Sequence, residues 1–367
     1  MDKYKKFILR VVLVSIVLFG FYGTIAYIRD PLMLLHKPYF EKIGYDDNLR
    51  ISNASVIHNV DFDSIIIGTS MLMNTSPSLA SQILGGKFIN VTAESLGFSE
   101  VDTFLKYAFR HQSDIKQIIV SFDSITNATS RIPYASLYDE NIFNDWFVYF
   151  QPRFFKCIVG LSNVCYKKED LDTRTFWLDA TKREALGGFE SWLQTAKNYR
   201  EASFILEKLE VKEFLPVHNE KTLADLESAK EWLGSILKLI KTSPNIQFEI
   251  IVPPYSKYHY YAKKGGQERF VVIRDSVKYF LSEVQNCPNV RVYGFDNLDY
   301  TKDIANYTDP IHYEVSMNHL FLEAIKAQTH LLTLENFESY FNQLEKDIKA
   351  FDMKPYIEAI KQHYGLE

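Results

Sequence analysis

The sequence predicts an α/β protein built on a parallel, doubly wound, five-stranded sheet, preceded by a membrane-spanning helix. Two observations lead to this prediction. Short apolar runs rich in β-branched residues alternate with helical patterns over residues 61–330, as in folds made of β-α-β units. A long uncharged segment near the N-terminus precedes them. The apolar runs do not alternate strictly with polar residues, which is typical of strands covered by helices on both faces.

The composition is that of a globular protein with a sizeable core. The chain has 367 residues, of which 47% are hydrophobic and 24% charged, close to the average for folded domains. The net charge is −5 and no basic stripe stands out, which argues against a nucleic-acid partner. Three cysteines are too few for a disulfide scaffold.

The uncharged segment runs from Val11 to Ile28, and with residues 7–9 it approaches the ~20 residues that cross a bilayer as a helix. We therefore expect residues 7–28 to contact the lipid bilayer and residues 1–30 to form a basic cytoplasmic tip and an anchor. Basic residues precede this segment, which predicts a single pass through the cytoplasmic membrane with the C-terminal domain outside, in the periplasm or at the cell surface.

The alternative to an anchor is a cleaved secretory signal. The apolar segment is longer than the usual ~7–15 residues of such a signal, and Tyr22 and Tyr27 crowd its end where small residues precede a cleavage site. Both interpretations export the remainder of the chain.

The elements of the α/β region follow in chain order. The predicted strands cover residues 64–68, 87–91, 116–122, 247–252 and 289–295. The predicted helices between them cover residues 77–84, 100–111, 220–241 and 268–285. Residues 31–60 are expected to be a juxtamembrane linker, and residues 331–367 to form C-terminal helices.

Residues 126–218 interrupt the strand–helix alternation and are rich in aromatic side chains. We interpret this segment as a mainly helical insertion. It is either a lid over the carboxyl edge of the sheet or a helical subdomain without contact to a ligand. Within it, Cys157 and Cys165 lie eight residues apart, which outside the cytoplasm permits a small-loop disulfide, although buried free thiols are equally compatible with export.

The first candidate catalytic residue is Ser70, which follows Gly68 and Thr69 at the end of the first predicted strand. In open α/β sheets, ligands bind just beyond the carboxyl ends of the strands, so a serine there is exposed to substrate. The alternative is that Ser70 merely caps the helix that follows.

The second candidate pair is Asp309 and His312, which follow the last predicted strand. A spacing of three residues allows both side chains to lie on one turn. His312 would accept the proton of the Ser70 hydroxyl as a general base, and Asp309 would orient the imidazole. No recognisable metal or nucleotide motif is present, so we expect no cofactor and no metal ligand set.

These motifs resemble the SGNH (GDSL-like) hydrolase superfamily, over roughly residues 62–327. Its nucleophilic serine follows the first strand in a Gly-Asp-Ser or similar motif, matched here by residues 68–70, and its Asp-x-x-His block matches residues 309–312. The resemblance implies a flavodoxin-like sheet, and it also implies oxyanion donors in two middle blocks. Gly97 is the candidate in the second block. The third block, Gly-x-Asn-Asp, is missing, and Asn127 or Asn74 is the candidate replacement.

An anchor in front of such a domain resembles the AlgJ/AlgX-like and DltD-like groups of cell-envelope acylation proteins. That resemblance implies an esterase or O-acyltransferase that acts on acylated glycans beside a multipass membrane acyltransferase. The alternative function is a noncatalytic accessory subunit that binds a glycan or the acyltransferase. The missing third block favours the accessory subunit, whereas the presence of Ser70, Asp309 and His312 together favours the enzyme.

Overall fold

The computed structural model describes residues 3–37, 39, 44–123, 132–139, 141–161, 170–175, 213–261, 265–309, 311–352 and 354–365. The strands are β1 (Ser64–Ile67), β2 (Phe88–Asn90), β3 (Gln117–Ser121), β4 (Gln247–Val252) and β5 (Val290–Gly294). The helices before β4 are α1 (Lys3–Arg29), α2 (Leu49–Asn59), α3 (Ser70–Met73), α4 (Pro77–Leu84), α5 (Phe98–His111), α6 (Ile142–Tyr149), α7 (Pro152–Ile158), α8 (Leu171–Arg174) and α9 (Glu220–Thr242). Those after β4 are α10 (Lys257–Tyr261), α11 (Gly266–Val284), α12 (Val315–Ala327), α13 (Leu334–Lys349) and α14 (Lys354–Tyr364).

The five strands form one parallel sheet in the order β2-β1-β3-β4-β5. In the centre, Ile65 is aligned with Ile89 of β2 on one side and with Ile118 of β3 on the other. All three side chains are buried, because helices cover both faces of the sheet. Since every strand runs in the same direction, their carboxyl ends meet at one edge.

The α/β class, the five-stranded parallel sheet and the apolar N-terminal helix predicted from the sequence are confirmed. The first strand ends one residue earlier than predicted, at Ile67, because Gly68 has a positive φ and leaves the ladder. Helix α1 has 27 residues and is long and apolar enough to span a membrane. Residues 331–367 contain two helices, and Phe337, Phe341 and Leu344 of α13 are buried in the core.

Within residues 31–60, α2 is part of the folded domain rather than of the linker expected from the sequence. Ile51, Ala54 and Val56 of α2 are buried. The side chain of Asn53 donates hydrogen bonds to the carbonyl oxygens of Val91 (3.0 Å) and Thr92 (3.1 Å), just beyond β2. The segment lacks a clear apolar period, so its packing was not visible in the sequence.

Most of the predicted insertion, residues 126–218, lies outside the described residues. Its described parts contain α6, α7, α8 and a 3₁₀ turn at Ala135–Tyr138. Cys157 is disulfide-bonded and Cys287 is a free thiol. Cys165, the partner that the sequence permits, lies outside the described residues, so the Cys157–Cys165 bridge stays one of two alternatives, as does the lid.

Candidate active site

The turn that carries Ser70 depends on a glycine. At Gly68 the end of β1 passes so close to β3 that an added Cβ would lie 2.4 Å from the Cβ of Ser121, and its φ of +154° is rare for other residues. Thr69 then caps α3, because its hydroxyl accepts a hydrogen bond from the N–H of Met71 (3.2 Å). The capping role that the sequence left open for Ser70 therefore belongs to Thr69, and Ser70 is the first residue of the helix.

The structure brings together the three predicted catalytic residues, Ser70, His312 and Asp309. The Oγ of Ser70 lies 2.8 Å from Nε2 of His312, although the two residues are 242 positions apart. Nδ1 of the same imidazole lies 2.6 Å from Oδ2 of Asp309. A carboxylate only accepts hydrogen bonds, so the proton of the neutral ring belongs on Nδ1, and Nε2 is left to accept from the serine hydroxyl.

Asp309 is fixed by its own turn. Its Oδ1 accepts the main-chain N–H groups of Ile311 (2.8 Å) and His312 (2.9 Å). Burial raises the pKa of the Asp309 carboxyl, but the hydrogen bonds and charge of His312 and these two N–H groups outweigh burial and hold the pKa below its usual range. Asp309 is therefore ionised near neutral pH and holds the imidazole with its proton on Nδ1 and with Nε2 turned to the hydroxyl of Ser70.

The side chains of His312 and Asp309 are also partly open to solvent. The side chain of His312 is 23% exposed and that of Asp309 is 41% exposed. Ser70 is half-buried at the same place. A substrate can therefore reach the serine hydroxyl from outside.

Two residues that follow the Asp-x-x-His block hold α3, the helix that begins at Ser70. The hydroxyl of Tyr313 and the side-chain amide of Asn318 (3.0 Å) both donate to the carbonyl oxygen of Met71. Asn318 also donates to the hydroxyl of Thr75 (3.0 Å). These contacts hold α3, which carries Ser70, against the chain that follows His312. In the sequence each of the two resembles an ordinary core or helix residue, so no local signal marks them.

Asp123, just beyond β3, ties three strand ends together. Its Oδ2 accepts the hydroxyls of Thr69 (2.6 Å) and Tyr255 (3.3 Å). The hydroxyl of Ser121 donates to its Oδ1. Tyr255 in turn accepts a hydrogen bond from the guanidinium of Arg269 (2.6 Å). This buried network supports Thr69, the residue next to Ser70. In the sequence, only an acid at the end of a strand indicated it.

The predicted oxyanion donors differ in their placement. The N–H of Gly97, at the start of α5, faces Oε2 of Glu100 at 3.4 Å. Glu100 is buried and forms a two-bond ion pair with Arg50 (2.6 and 3.0 Å). Asn74 is buried at the C-terminal end of α3, one helical turn beyond Ser70. Asn127 lies outside the described residues.

Comparisons with family models, with curated proteins and with solved structures find no match to this chain. Within the part of the chain that the structure describes, no cluster of His, Cys, Asp and Glu is arranged to hold a metal ion. The interpretation of the site therefore depends on its own geometry. A hydroxyl, an imidazole and a carboxylate joined in series can generate a nucleophilic serine.

Proposed function

We propose that this protein is a membrane-anchored, extracytoplasmic serine esterase or O-acyltransferase of the SGNH type. Its substrates are acyl groups on cell-envelope or exported polysaccharide. The observation that carries the proposal is the series of hydrogen bonds from Ser70 through His312 to Asp309. Structural hydrogen bonds are common, but this combination of residue types, in this order, at the carboxyl edge of a parallel sheet, is what acyl transfer needs.

The fold supports the superfamily. The strand order 2-1-3-4-5 is that of flavodoxin-like sheets, which bind ligands beyond the carboxyl ends of their strands. The nucleophile follows β1, and the Asp-x-x-His block lies between β5 and α12, as the resemblance implies.

The reaction begins when the Oγ of Ser70 attacks the carbonyl carbon of an acyl ester. His312 Nε2 takes the hydroxyl proton, and Asp309 stabilises the imidazolium through Nδ1–H. The tetrahedral intermediate collapses as the C–O bond to the leaving alcohol breaks, and His312 returns the proton to that alcohol. The products of this half-reaction are an acyl-Ser70 ester and a free hydroxyl group.

In the second half-reaction His312 removes a proton from the acceptor, whose oxygen attacks the acyl-serine. Water as the acceptor makes the protein an esterase, and a sugar hydroxyl makes it a transferase. In both cases the bond between the acyl carbon and Oγ of Ser70 then breaks, and His312 returns the proton to Oγ, which restores the Ser70 hydroxyl. Among the candidate oxyanion donors, Asn74 is one helical turn from the nucleophile, and Gly97 would first have to release Glu100.

The position of the domain depends on α1. A helix of 27 residues that is apolar enough to cross a bilayer supports a single-pass anchor, and the basic residues before it support an N-terminus in the cytoplasm. The ester bonds of an exported glycan would then be on the same side of the membrane as Ser70.

The test is to trap the acyl-enzyme. The full-length protein in detergent is mixed with an aryl acetate at low pH and digested, and the peptide that contains residue 70 is analysed by mass spectrometry. We expect an acetyl group on Ser70 in the wild type and none on that peptide in Ser70→Ala. Ser282→Ala, at an exposed position on α11, is the matched control and should still be acetylated at residue 70. Repeating the experiment with an acetylated polysaccharide, with and without free glycan, separates hydrolysis from transfer.

A second candidate function is that of a noncatalytic accessory subunit bound to a glycan or a multipass membrane acyltransferase. The observation in its favour is that the N–H of Gly97 is occupied by Glu100, which removes one oxyanion donor, and such a loss costs about 10²–10³ in rate. If this candidate is correct, Ser70→Ala will leave glycan acylation in cells unchanged. Deletion of the whole domain will abolish it.

A further inference from the structure

Helices α6 and α7 form a hairpin that lies along the C-terminal half of α1. We refer to residues 142–161 as the α6–α7 hairpin. Near the tip of the hairpin, the ring of Phe150 contacts those of Phe19 and Tyr22, with centroids 6.2 and 5.4 Å apart. The Tyr22 ring also stacks on Phe155 at 5.3 Å. The hydroxyl of Tyr22 donates to the carbonyl oxygen of Tyr149 (2.5 Å).

The other end of the hairpin lies where α1 ends. The guanidinium of Arg29 donates to the carbonyl oxygen of Ile158 (3.1 Å). The hydroxyl of Tyr149 donates to the carboxylate of Asp30. The hairpin therefore extends along α1 from Arg29 back to Phe19. Ten residues of helix correspond to ~15 Å.

These contacts set the depth of the hairpin if α1 crosses a bilayer. The uncharged run from Val11 to Ile28 is ~27 Å long as a helix, nearly the ~30 Å thickness of the hydrocarbon. Phe19 lies at the middle of that run. Phe150, which touches it, then lies within the hydrocarbon. This conclusion is the same for either orientation of α1.

The surface of the hairpin fits that location. Phe143, Phe147 and Phe150 are 79%, 72% and 48% exposed, and their spacing of four and three residues puts them in one stripe of α6. Val148 and Tyr149 on the opposite face are buried. Further exposed apolar residues lie on and just beyond α7: Phe155, Val159 and Leu161. The surface of a soluble protein rarely exposes so many large apolar side chains within one short hairpin.

The charges of the hairpin are compatible with lipid. Residues 142–161 include only three ionisable acidic or basic side chains, Asp145, Arg153 and Lys156. Asp145 is buried in the protein, and Arg153 pairs with the buried carboxylate of Asp46 at 2.6 Å. Lys156 has a side chain long enough to carry its ammonium group toward the lipid headgroups.

We propose that the α6–α7 hairpin inserts into the lipid bilayer beside α1, as a second membrane contact of this protein. The occupant of its apolar surface is the hydrocarbon that surrounds α1, because the two surfaces are continuous at Phe19, Tyr22 and Phe150. The proposal rests on the proposed anchoring by α1. Two contacts fix the orientation of the catalytic domain to the membrane, whereas a single helix would leave it free to rotate.

The experiment places nitroxide labels on the full-length protein in lipid nanodiscs that contain no other protein. Labels go on Phe147→Cys in the hairpin, on Val17→Cys in α1, and on Ser282→Cys, which is an exposed site next to the Glu283–Lys241 ion pair (2.9 Å). Cys287→Ser removes the free thiol. Each label is tested for collision with oxygen, which concentrates in lipid, and with a nickel chelate, which stays in water.

We expect the label at residue 147 to behave like that at residue 17, with nickel collisions lost and oxygen collisions retained, and the label at residue 282 to show the reverse. If residue 147 behaves like residue 282 while residue 17 is in lipid, the hairpin proposal is wrong, the anchor stands, and the patch is left for a membrane protein partner. If residue 17 is also in water, the anchoring itself fails and the hairpin proposal with it. Phe147 is mostly exposed, so its replacement should not disturb folding.

Discussion

Asp309 and Asp296 both lie at the carboxyl edge of the sheet, but they differ in their exposure, in the direction of their pKa shift and in their hydrogen-bond partners. Asp309 is partly exposed, and the hydrogen bonds of its His312 turn hold its pKa below the usual range. Asp296, just after β5, is fully buried, and burial raises its pKa even though Lys257 lies nearby. Its carboxylate accepts the N–H of Tyr255 (2.6 Å) and the hydroxyl of Tyr260 (2.8 Å).

The difference shows that two carboxylates at the same edge of the sheet can have opposite environments. Asp309 is ionised, partly exposed and hydrogen-bonded to an imidazole that touches the hydroxyl of Ser70. Asp296 and Lys257 are enclosed, and burial lowers the pKa of Lys257 to about 8. We therefore attribute to Asp296 and Lys257 the stability of the loops after β4 and β5, and the proposed catalytic role stays with Asp309.

Among the predicted changes, the largest is in the rate at which an aryl ester acylates Ser70. Asp309→Asn leaves the imidazole in the wrong tautomer and should lower the rate of acylation by an aryl ester about 10⁴-fold. Its melting temperature should fall only slightly, because the side chain is 41% exposed and the loss of its charge has a small effect on stability. Stopped-flow release of the aryl alcohol and thermal unfolding measure the two effects. Asp299→Asn, at an exposed acid, is the control. Equal acylation rates in Asp309→Asn and the wild type would remove Asp309 from the mechanism.

The second effect is on stability. Lys257→Met removes the hydrogen bond from the buried ammonium group to the main-chain oxygen of Asp296, together with the cation near that carboxylate, and should lower the free energy of unfolding by about 1.5–3 kcal/mol. Lys278→Met breaks the exposed pair with Glu338 and should cost less than about 1 kcal/mol. Urea unfolding of both variants measures the contrast. If Lys257→Met lowers the free energy of unfolding by less than Lys278→Met does, the buried Lys257 does not stabilise the fold.

The third effect concerns the support of the nucleophile. Thr69→Val removes the hydrogen bond to Asp123 and the cap of α3, and should cost about 1–3 kcal/mol of stability because Asp123 is buried. Acylation of Ser70 should also slow, because its helix is no longer held. Thr69→Ser keeps the hydroxyl and should restore both the rate and the stability. If the Ser variant fails to restore the rate, the hydroxyl is not what positions Ser70.

The smallest predicted change is in how stability depends on pH. Asp309 and Asp296 contribute to this dependence with opposite signs. The pKa of Asp309 is depressed, so its stabilisation is complete above pH 3.8 and is lost as the pH falls through its folded value. The pKa of Asp296 is raised to about 6, so the folded state holds the extra proton between pH 3.8 and 6.

Relative to the wild type, Asp309→Asn should therefore lose stability as the pH rises toward 3.8, and Asp296→Asn should gain stability as the pH rises from 3.8 to 6. Urea unfolding of the wild type and of both variants, from below pH 3.8 up to pH 6, measures these two changes in stability. If stability relative to the wild type changes in the same direction with pH in both variants, the contrast between Asp309 and Asp296 is wrong.

The sequence could predict what depends on local pattern. Apolar runs such as Ile65–Ile67 predicted the central strands, because burial on both faces requires continuous apolar residues. The motifs around Ser70 and His312 predicted a serine and a base at one edge of a sheet, because parallel strands bring their carboxyl ends together. The structure places these side chains 2.8 Å apart.

What the sequence missed depends on partners far away in the chain. Asp123 and Tyr255 are 132 residues apart, and nothing local indicates that they share a hydrogen bond. The buried helix at residues 49–59 carries polar residues such as Asn53, whose hydrogen bonds to Val91 and Thr92 are visible only in three dimensions. Gly97 was identified by block position alone, and its N–H faces Glu100.

The central claim is that Ser70 is an activated nucleophile, and labelling with a fluorophosphonate probe tests it most directly. The full-length protein, Ser70→Ala and Ser282→Ala are treated in parallel in detergent, with melting temperatures measured on the same samples. We expect the wild type and Ser282→Ala to be labelled at residue 70 and folded Ser70→Ala to carry no label. A folded wild type without label, or label that persists in Ser70→Ala, would contradict it.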